Sequence, residues 1–260
     1  MKKIAIQGVP GSYHDIAAHK FFPGEEIELI CCSTFEEVFA NIKQDSNVIG
    51  MLAIENTIAG SLLHNYELLR ESGMTIVGEH KLRIKHSFMC LPDDNWETLT
   101  EVNSHPVALA QCREFLIQHP KLKIVETEDT AGSAEAIKRE NLKGHAAICS
   151  RYAADLYGMK VLEEGIETNK HNFTRFLVVA DPWKADDLRP DLKHGQSLPS
   201  KMPEAPRSSD LPQDVLHGFS NSIVRSCGIR FSYSASGLSQ EAQNCCCKDS
   251  QYGFRLRCGL

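Results

Sequence analysis

The stretch Val48-Ile49-Gly50-Met51-Leu52-Ala53-Ile54-Glu55-Asn56-Thr57-Ile58-Ala59-Gly60-Ser61 decides the fold. Its first seven residues are apolar almost without a break. That is the pattern of a strand covered on both faces, as in a sheet with helices above and below. The run then turns polar at once, where such a strand would reach its carboxyl end. Upstream, Lys3 to Gly8 reads as a strand, Gly8-Val9-Pro10-Gly11 as a turn, Ser12 to Phe21 as a helix and Ile27 to Cys32 as a second strand. Thr34 and Glu37 have capping-box spacing, in which each side chain can satisfy a free backbone N–H at a helix start. The helix they open carries Phe35, Val38, Phe39 and Ile42, the i, i+3, i+4, i+7 stripe of a helix packed on a sheet. Downstream, Leu62, Leu63, Tyr66 and Leu69 form another helical stripe, stopped by Gly73.

Alternating strands and helices imply a mostly parallel sheet. The pattern then changes. Met74 to Leu91 is a long β-like stretch that can carry the chain into a second lobe. Three strand–helix pairs follow: Val102-Asn103 with Ala108 to Gln118, Ile124-Val125 with Ala131 to Glu140, and Ala146 to Cys149 with Tyr152 to Tyr157. Thr174 to Val179 is a final strand, with Pro182 just beyond it. The order fits two α/β lobes joined by extended crossovers. Lobe one is expected over about 1–80 plus 160–181 and lobe two over about 81–159, together one domain of residues 1–181. From 182 to 260 a linker and an atypical tail are expected. Twelve of the 76 residues from Ala185 onward are serine and prolines cluster between Pro190 and Pro212, so no packed core is expected there.

Composition narrows the function. With 42% hydrophobic and 24% charged residues the chain can bury a sizeable core. A formal net charge of −6 argues against nucleic acid, whose phosphates need a basic face. No apolar run approaches the length of a membrane span, and no apolar signal segment follows Met1, so a cytoplasmic protein is expected. The ten cysteines then read as thiols in a reducing compartment. Cys31-Cys32 and Cys245-Cys246-Cys247 lack the C-x-x-C spacing of a zinc or redox site, and no metal is expected.

Five segments, most of them following a strand, can carry chemistry. In Gly8-Val9-Pro10-Gly11-Ser12, glycines allow close backbone approach and a helix start favours an anion. Taken alone the motif reads better as a tight turn capped by Ser12, and no Gly-Lys-Ser/Thr follows to make a P-loop. Glu55 to Ser61 supplies neutral donors from Asn56, Thr57 and Ser61 at a strand end, where ligands of open α/β sheets gather. Helix capping by Thr57 or Ser61 is the alternative. Ser104-His105-Pro106 offers His105 as a general acid or carboxylate partner, with Gln111 on the helix that follows; the alternative is an N-cap by Ser104. Asp129-Thr130-Ala131-Gly132-Ser133-Ala134 offers Thr130 to a cleft, or merely a cap. Asn172-Phe173-Thr174-Arg175-Phe176 sets a hydroxyl beside a guanidinium suited to carboxylates. Thr174 and Arg175 point to opposite faces of an extended strand, so both reach one ligand only if the segment is irregular.

Taken in order, these five motifs resemble prephenate dehydratase over about the first 180 residues, the length of a whole catalytic domain. Thr174-Arg175-Phe176 resembles the family signature that holds its essential threonine. The resemblance implies an α/β, two-lobed fold like type II periplasmic binding proteins, with the substrate cleft between the lobes. It implies a carbon–oxygen lyase converting prephenate to phenylpyruvate, water and carbon dioxide in phenylalanine synthesis, with no cofactor. Thr174 is then the catalytic donor. Ser12, Asn56, Thr57, Ser61, His105, Gln111, Thr130, Arg175 and Phe176 become substrate contacts, with Arg175 near a carboxylate or bracing the loop. A homo-oligomer, dimer or tetramer, is implied, with no membrane and no nucleic-acid partner.

The sequence departs from the family in places. Val107 stands where many members have glutamine, and Thr57 where many have serine. The strand pattern and the Gly-Ala-Leu and Glu-Ser-Arg-Pro segments of the family's C-terminal ACT domain are not found after Ala185. Feedback by phenylalanine is therefore expected to be lost. A frame change near Gln196, or a divergent natural tail, would each explain this. No fused chorismate mutase is expected ahead of Lys3. Two rivals stand beside the main reading: arogenate dehydratase, and a non-catalytic carboxylate-binding sensor of the same fold.

Overall fold

In the computed structural model residues 1–188 are described, and the sequence reading of the remaining tail lies outside them. The elements in chain order are β1 (Lys2–Gln7), α1 (Tyr13–Phe21), β2 (Ile27–Cys32), α2 (Phe35–Gln44), β3 (Ile49–Asn56), β4 (Gly60–Ser61), α3 (Leu63–Ser72) and β5 (Thr75–Arg83). There follow β6 (Ser87–Cys90), β7 (Glu101–Ser104), α4 (Pro106–Gln111), α5 (Arg113–Gln118), β8 (Lys123–Glu126), α6 (Thr130–Glu140), β9 (His145–Cys149), α7 (Arg151–Tyr157), β10 (Lys160–Glu164), β11 (Phe173–Ala180) and α8 (Ala185–Leu188).

Two separate sheets form. One runs β2-β1-β3-β11-β5, with β4 beside β3; the other runs β10-β6-β9-β7-β8. In the first, β2, β1 and β3 are parallel, and β11 returns antiparallel between β3 and β5. In the second, β9, β7 and β8 are parallel while β6 and β10 run against their neighbours. The chain passes between the sheets twice, through 84–86 and through 165–172. This is the two-lobed α/β architecture, with a cleft where the lobes face each other.

Residues Ile49 to Ile54 of β3 are all buried, as their apolar run predicts. Two apolar clusters pack on opposite faces of the first sheet, one around α1 and one around α2 and α3. Gly50 is where α2 comes closest: a Cβ there would stand 2.8 Å from Ile42 Cδ1 and 2.9 Å from Val179 Cγ2. The second sheet is likewise sandwiched by two clusters.

Several boundaries differ from the sequence reading. β10 pairs with β6 in the second sheet, so residues 160–164 belong to lobe two rather than lobe one. β5 extends to Arg83 before the chain leaves the first sheet. The helix expected over Ala108 to Gln118 is two short helices broken at Cys112, whose N–H is shared between the Ala108 and Leu109 carbonyls. The capping box at Thr34 is offset: Thr34 accepts from Glu37 N, but the Glu37 carboxylate accepts from Ser33 N. Among the described residues no helix is long and apolar enough to cross a membrane.

Candidate active site

A cavity of ≈ 260 Å³ opens between the lobes. Ser12, Asn56, His105, Gln111, Thr130, Thr174 and Phe176 line it together, drawn from five different segments. Thr57, Ser61 and Arg175 do not line it.

Thr174 sits at the start of β11 and is 9% exposed. Its Oγ1 accepts a hydrogen bond from Asn56 Nδ2 at 3.0 Å. Asn56 is fully committed within the protein. Its Nδ2 also donates to Asn172 Oδ1 at 2.8 Å and Phe173 O at 3.3 Å. Its Oδ1 accepts from Ile58 N at 2.9 Å and Ala59 N at 2.8 Å, with Gln111 Nε2 at 3.4 Å. Because Asn56 fills one lone pair of Thr174, the threonine O–H is left free to donate into the cavity. Asn56 lines the cavity with its polar atoms already engaged inside the protein, an arrangement that positions Thr174.

The Gln111 side-chain carbonyl is committed in the same way. Its Oε1 accepts from Asn172 Nδ2 at 2.8 Å and from His86 Nε2 at 2.9 Å. Since Oε1 can only accept, His86 Nε2 carries a proton. Desolvation lowers the His86 pKa against the opposing pull of Gln111 and Glu167, so the ring is neutral and its Nδ1 is bare. The Tyr13 hydroxyl lies 2.9 Å from that Nδ1 and 2.8 Å from Lys85 O. Thr174, Asn56, Asn172, Gln111, His86 and Tyr13 thus form one buried chain that crosses from one lobe to the other.

The groups left free to hold a ligand are fewer than the sequence suggested. Ser12 caps α1, its Oγ accepting from Asp15 N at 3.3 Å, so its O–H remains available. Asp129 caps α6 through Gly132 N at 2.6 Å, and Thr130 opens that helix with its hydroxyl facing the cavity. His105, not Ser104, caps α4: its Nδ1 accepts from Val107 N at 3.2 Å, while Ser104 is buried and donates to Ile148 O at 2.5 Å. A neutral His105 therefore carries its proton on Nε2. Phe176 supplies an apolar wall.

Three expected contacts are corrected. Arg175 points to the opposite face of β11 and pairs with Glu79, at 2.9 Å from Nε and 2.6 Å from Nη2. The strand is extended there, and alternation carries the guanidinium away from Thr174. Thr57 donates to His171 O at 2.8 Å and accepts from Phe173 N at 2.9 Å, which ties down the crossover. Ser61 sits in β4, opposite Glu55, away from the cavity lining. Because Arg175 serves its strand, Arg175→Ala is expected to change KM by less than about threefold and stability by under about 1 kcal/mol, as for a half-exposed ion pair. A tenfold rise in KM would mean that the guanidinium reaches the substrate.

The glycine turn approaches the other lobe as closely as any ligand. Gly8 has φ 106°, and a Cβ there would lie 2.9 Å from Asp129 Oδ2. Pro10 O accepts from Tyr157 Oη at 2.6 Å, and Gly11 O from Ser150 Oγ at 2.8 Å. His14 went unnoticed in the sequence. Its Nε2 accepts from Ala53 N at 3.3 Å and its ring meets Phe176 edge-on, with centroids 5.0 Å apart. Desolvation pulls its pKa down to about 4 from the ordinary 6.5. The unfolded chain therefore takes up this proton first. Stability attributable to His14 should fall as pH drops from 6.5 to about 4 and level off below, where both states are protonated. Thermal midpoints across that range, compared with His14→Gln, check this; identical pH dependence in the two proteins would remove His14 as the cause.

A two-lobed α/β fold with a polar cleft between its sheets defines a class of small-ligand proteins that includes both binders and enzymes. A prephenate dehydratase family model matches residues 4–183, and the chain belongs to that family. Arogenate dehydratase 1 of Petunia hybrida is 42% identical over 180 residues, covering 68% of this chain and 42% of the petunia protein. The chain thus spans under half the length of that relative. Among solved structures, GqqA, described as a novel type of quorum quenching acylase, is 34% identical with a TM-score of 0.62, covering 77% of this chain and 67% of its own. Prephenate dehydratase from Arthrobacter aurescens in complex with L-Phe has a TM-score of 0.64 at 23% identity, covering 69% of this chain and 60% of its own, and supports the fold.

Proposed function

We propose that this cleft converts prephenate to phenylpyruvate, water and carbon dioxide, a carbon–oxygen lyase reaction. Prephenate is a cyclohexadiene with a carboxylate on one ring carbon and a hydroxyl across the ring. The breaking bond to the carboxylate supplies the electron pair that expels the hydroxyl, and the ring becomes aromatic. The demanding part is making hydroxide leave. A fixed donor aimed at that oxygen stabilises the charge developing there. The observation that carries the reading is Thr174, which lines the cavity and whose Oγ1 accepts from Asn56 Nδ2 at 3.0 Å, an arrangement that leaves its O–H available to donate to a ligand. Threonine is a weak acid, so it serves as a preorganised donor. Ser12, Thr130 and His105 are placed to hold the substrate's oxygens without any lysine or arginine in the cavity lining.

Arogenate, with an amino group in place of the keto oxygen, is the second reading. It is favoured by the plant relatives, which are named arogenate dehydratases, two of them arogenate dehydratase/prephenate dehydratase. The decisive experiment supplies each compound to the purified chain and follows phenylpyruvate or phenylalanine. Turnover of either supports a dehydratase, and the faster substrate settles which. Saturable binding of both with no turnover would leave a sensor in place of an enzyme. The reading also includes a homo-oligomer acting in the cytoplasm, whereas several plant relatives are named as chloroplastic.

A further inference from the structure

A second cavity, of ≈ 290 Å³, lies at the junction where both crossovers pass between the sheets. α1 contributes Lys20, the end of β5 contributes Arg83, and the first crossover contributes Lys85. From the other lobe come Ser87 of β6, Arg151 of α7 and Glu164 at the end of β10. Arg151 is already engaged by Glu164 and by Asp155. Lys20, Arg83 and Lys85 have no carboxylate within 4.0 Å among the described residues, in a chain whose formal net charge is −6. Three uncompensated cations at one cavity raise the local potential for an anion.

Ser87 points the same way. It is 2% exposed, and its hydroxyl makes no hydrogen bond among the described residues. Every fully enclosed side-chain nitrogen or oxygen in the described residues does have a partner, so the Ser87 Oγ keeps its access to the cavity. A buried hydroxyl without a partner among the described residues, lining the same cavity as three cations, is a donor suited to an oxyanion.

We propose that this cavity binds a small polyanion, bearing a phosphate or at least two carboxylates, through Lys20, Arg83, Lys85 and the Ser87 hydroxyl. The site is distinct from the Thr174 cavity, whose lining includes neither lysine nor arginine. It is built from both lobes, so a bound anion bridges groups on the two of them.

The test is calorimetric titration of the full 260-residue chain with inorganic phosphate and, separately, with citrate, at constant ionic strength set by chloride. One-site saturable binding of either probe is expected, weakening as salt is raised. A preference for phosphate or for citrate identifies which anion chemistry the site takes. Arg83→Ala should weaken the preferred probe about tenfold, the loss expected on removing one charge-assisted contact. Lys20→Gln, on the exposed face of α1, should weaken it severalfold, and it decides the matter if the Arg83 variant fails to fold. Thr174→Ala should leave the affinity unchanged. No saturable binding of either probe, an unchanged affinity in Lys20→Gln, or loss of binding in Thr174→Ala would each overturn the proposal.

Discussion

Thr174→Ala is expected to lower kcat by ~10²–10⁴-fold, the usual contribution of one positioned acid–base group. The alanine removes the only atom that can donate to the departing oxygen from this position. It also leaves Asn56 Nδ2 with two partners in place of three, so the loss of stability should be small. KM should change less than kcat, because a donor that tightens on developing negative charge acts mainly in the transition state. Thr174→Ser restores the hydroxyl and should recover much of the rate. Steady-state kinetics on both variants, with circular dichroism to confirm folding, provides the measurement. A near-normal kcat in the alanine variant would take Thr174 out of the chemistry and return attention to the Nε2 proton of His105.

The second large effect is expected at Asn56, which never touches the substrate in this reading. Asn56→Leu keeps the branching at Cγ and removes every polar atom of the side chain. Asn172, Gln111 and Thr174 would each lose a bond in a buried place, while the N–H groups of the exposed residues Ile58 and Ala59 would lose theirs where water can partly replace it. Each stranded buried group costs about 1–3 kcal/mol, with some relieved by local shifts. A total of about 3–5 kcal/mol is expected, at the exceptional end for one substitution. Urea unfolding measures it. Asn56→Asp separates positioning from stability. The carboxylate still accepts from Ile58 and Ala59, so much of the turn survives. It can no longer donate to Thr174, whose O–H would turn to donate to it instead and so away from the cavity. Activity in Asn56→Asp should therefore fall toward the level of Thr174→Ala although the threonine is present. Wild-type kcat in a folded Asn56→Asp protein would mean that the orientation of the Thr174 hydroxyl does not matter.

The two variants also show why the site was only partly legible. The motifs named the right neighbourhoods, but residue type could not say which side chains the protein itself would consume. Asn56 and Gln111 have the chemistry of substrate ligands, and the structure spends them on each other, on Asn172 and on His86. Arg175 has the chemistry of a carboxylate clamp, and Glu79 on the neighbouring strand takes it. His14 and His86 sit in no motif. His14 is one histidine on a short helix and His86 one residue in a crossover, and their roles come from partners 39 and 25 positions away, respectively.

What the sequence determined by itself was local and periodic. The apolar run at 48–54, the helical stripe through Val38 and Ile42, and the stop at Gly73, which takes a positive φ of 72°, specify covered strands and one-faced helices from neighbours a few residues apart. The five motif segments fixed the family for the same reason, since each is a short contiguous string. What only the tertiary structure decided was non-local pairing. β10 joins the second sheet because β6 offers it an edge. β11 returns to lie between β3 and β5, and that insertion sets Thr174 beside Asn56, 118 residues away in the chain. Backbone edges and buried amides take whichever partner the fold brings within about 3 Å, and no spacing along the chain records which one that will be.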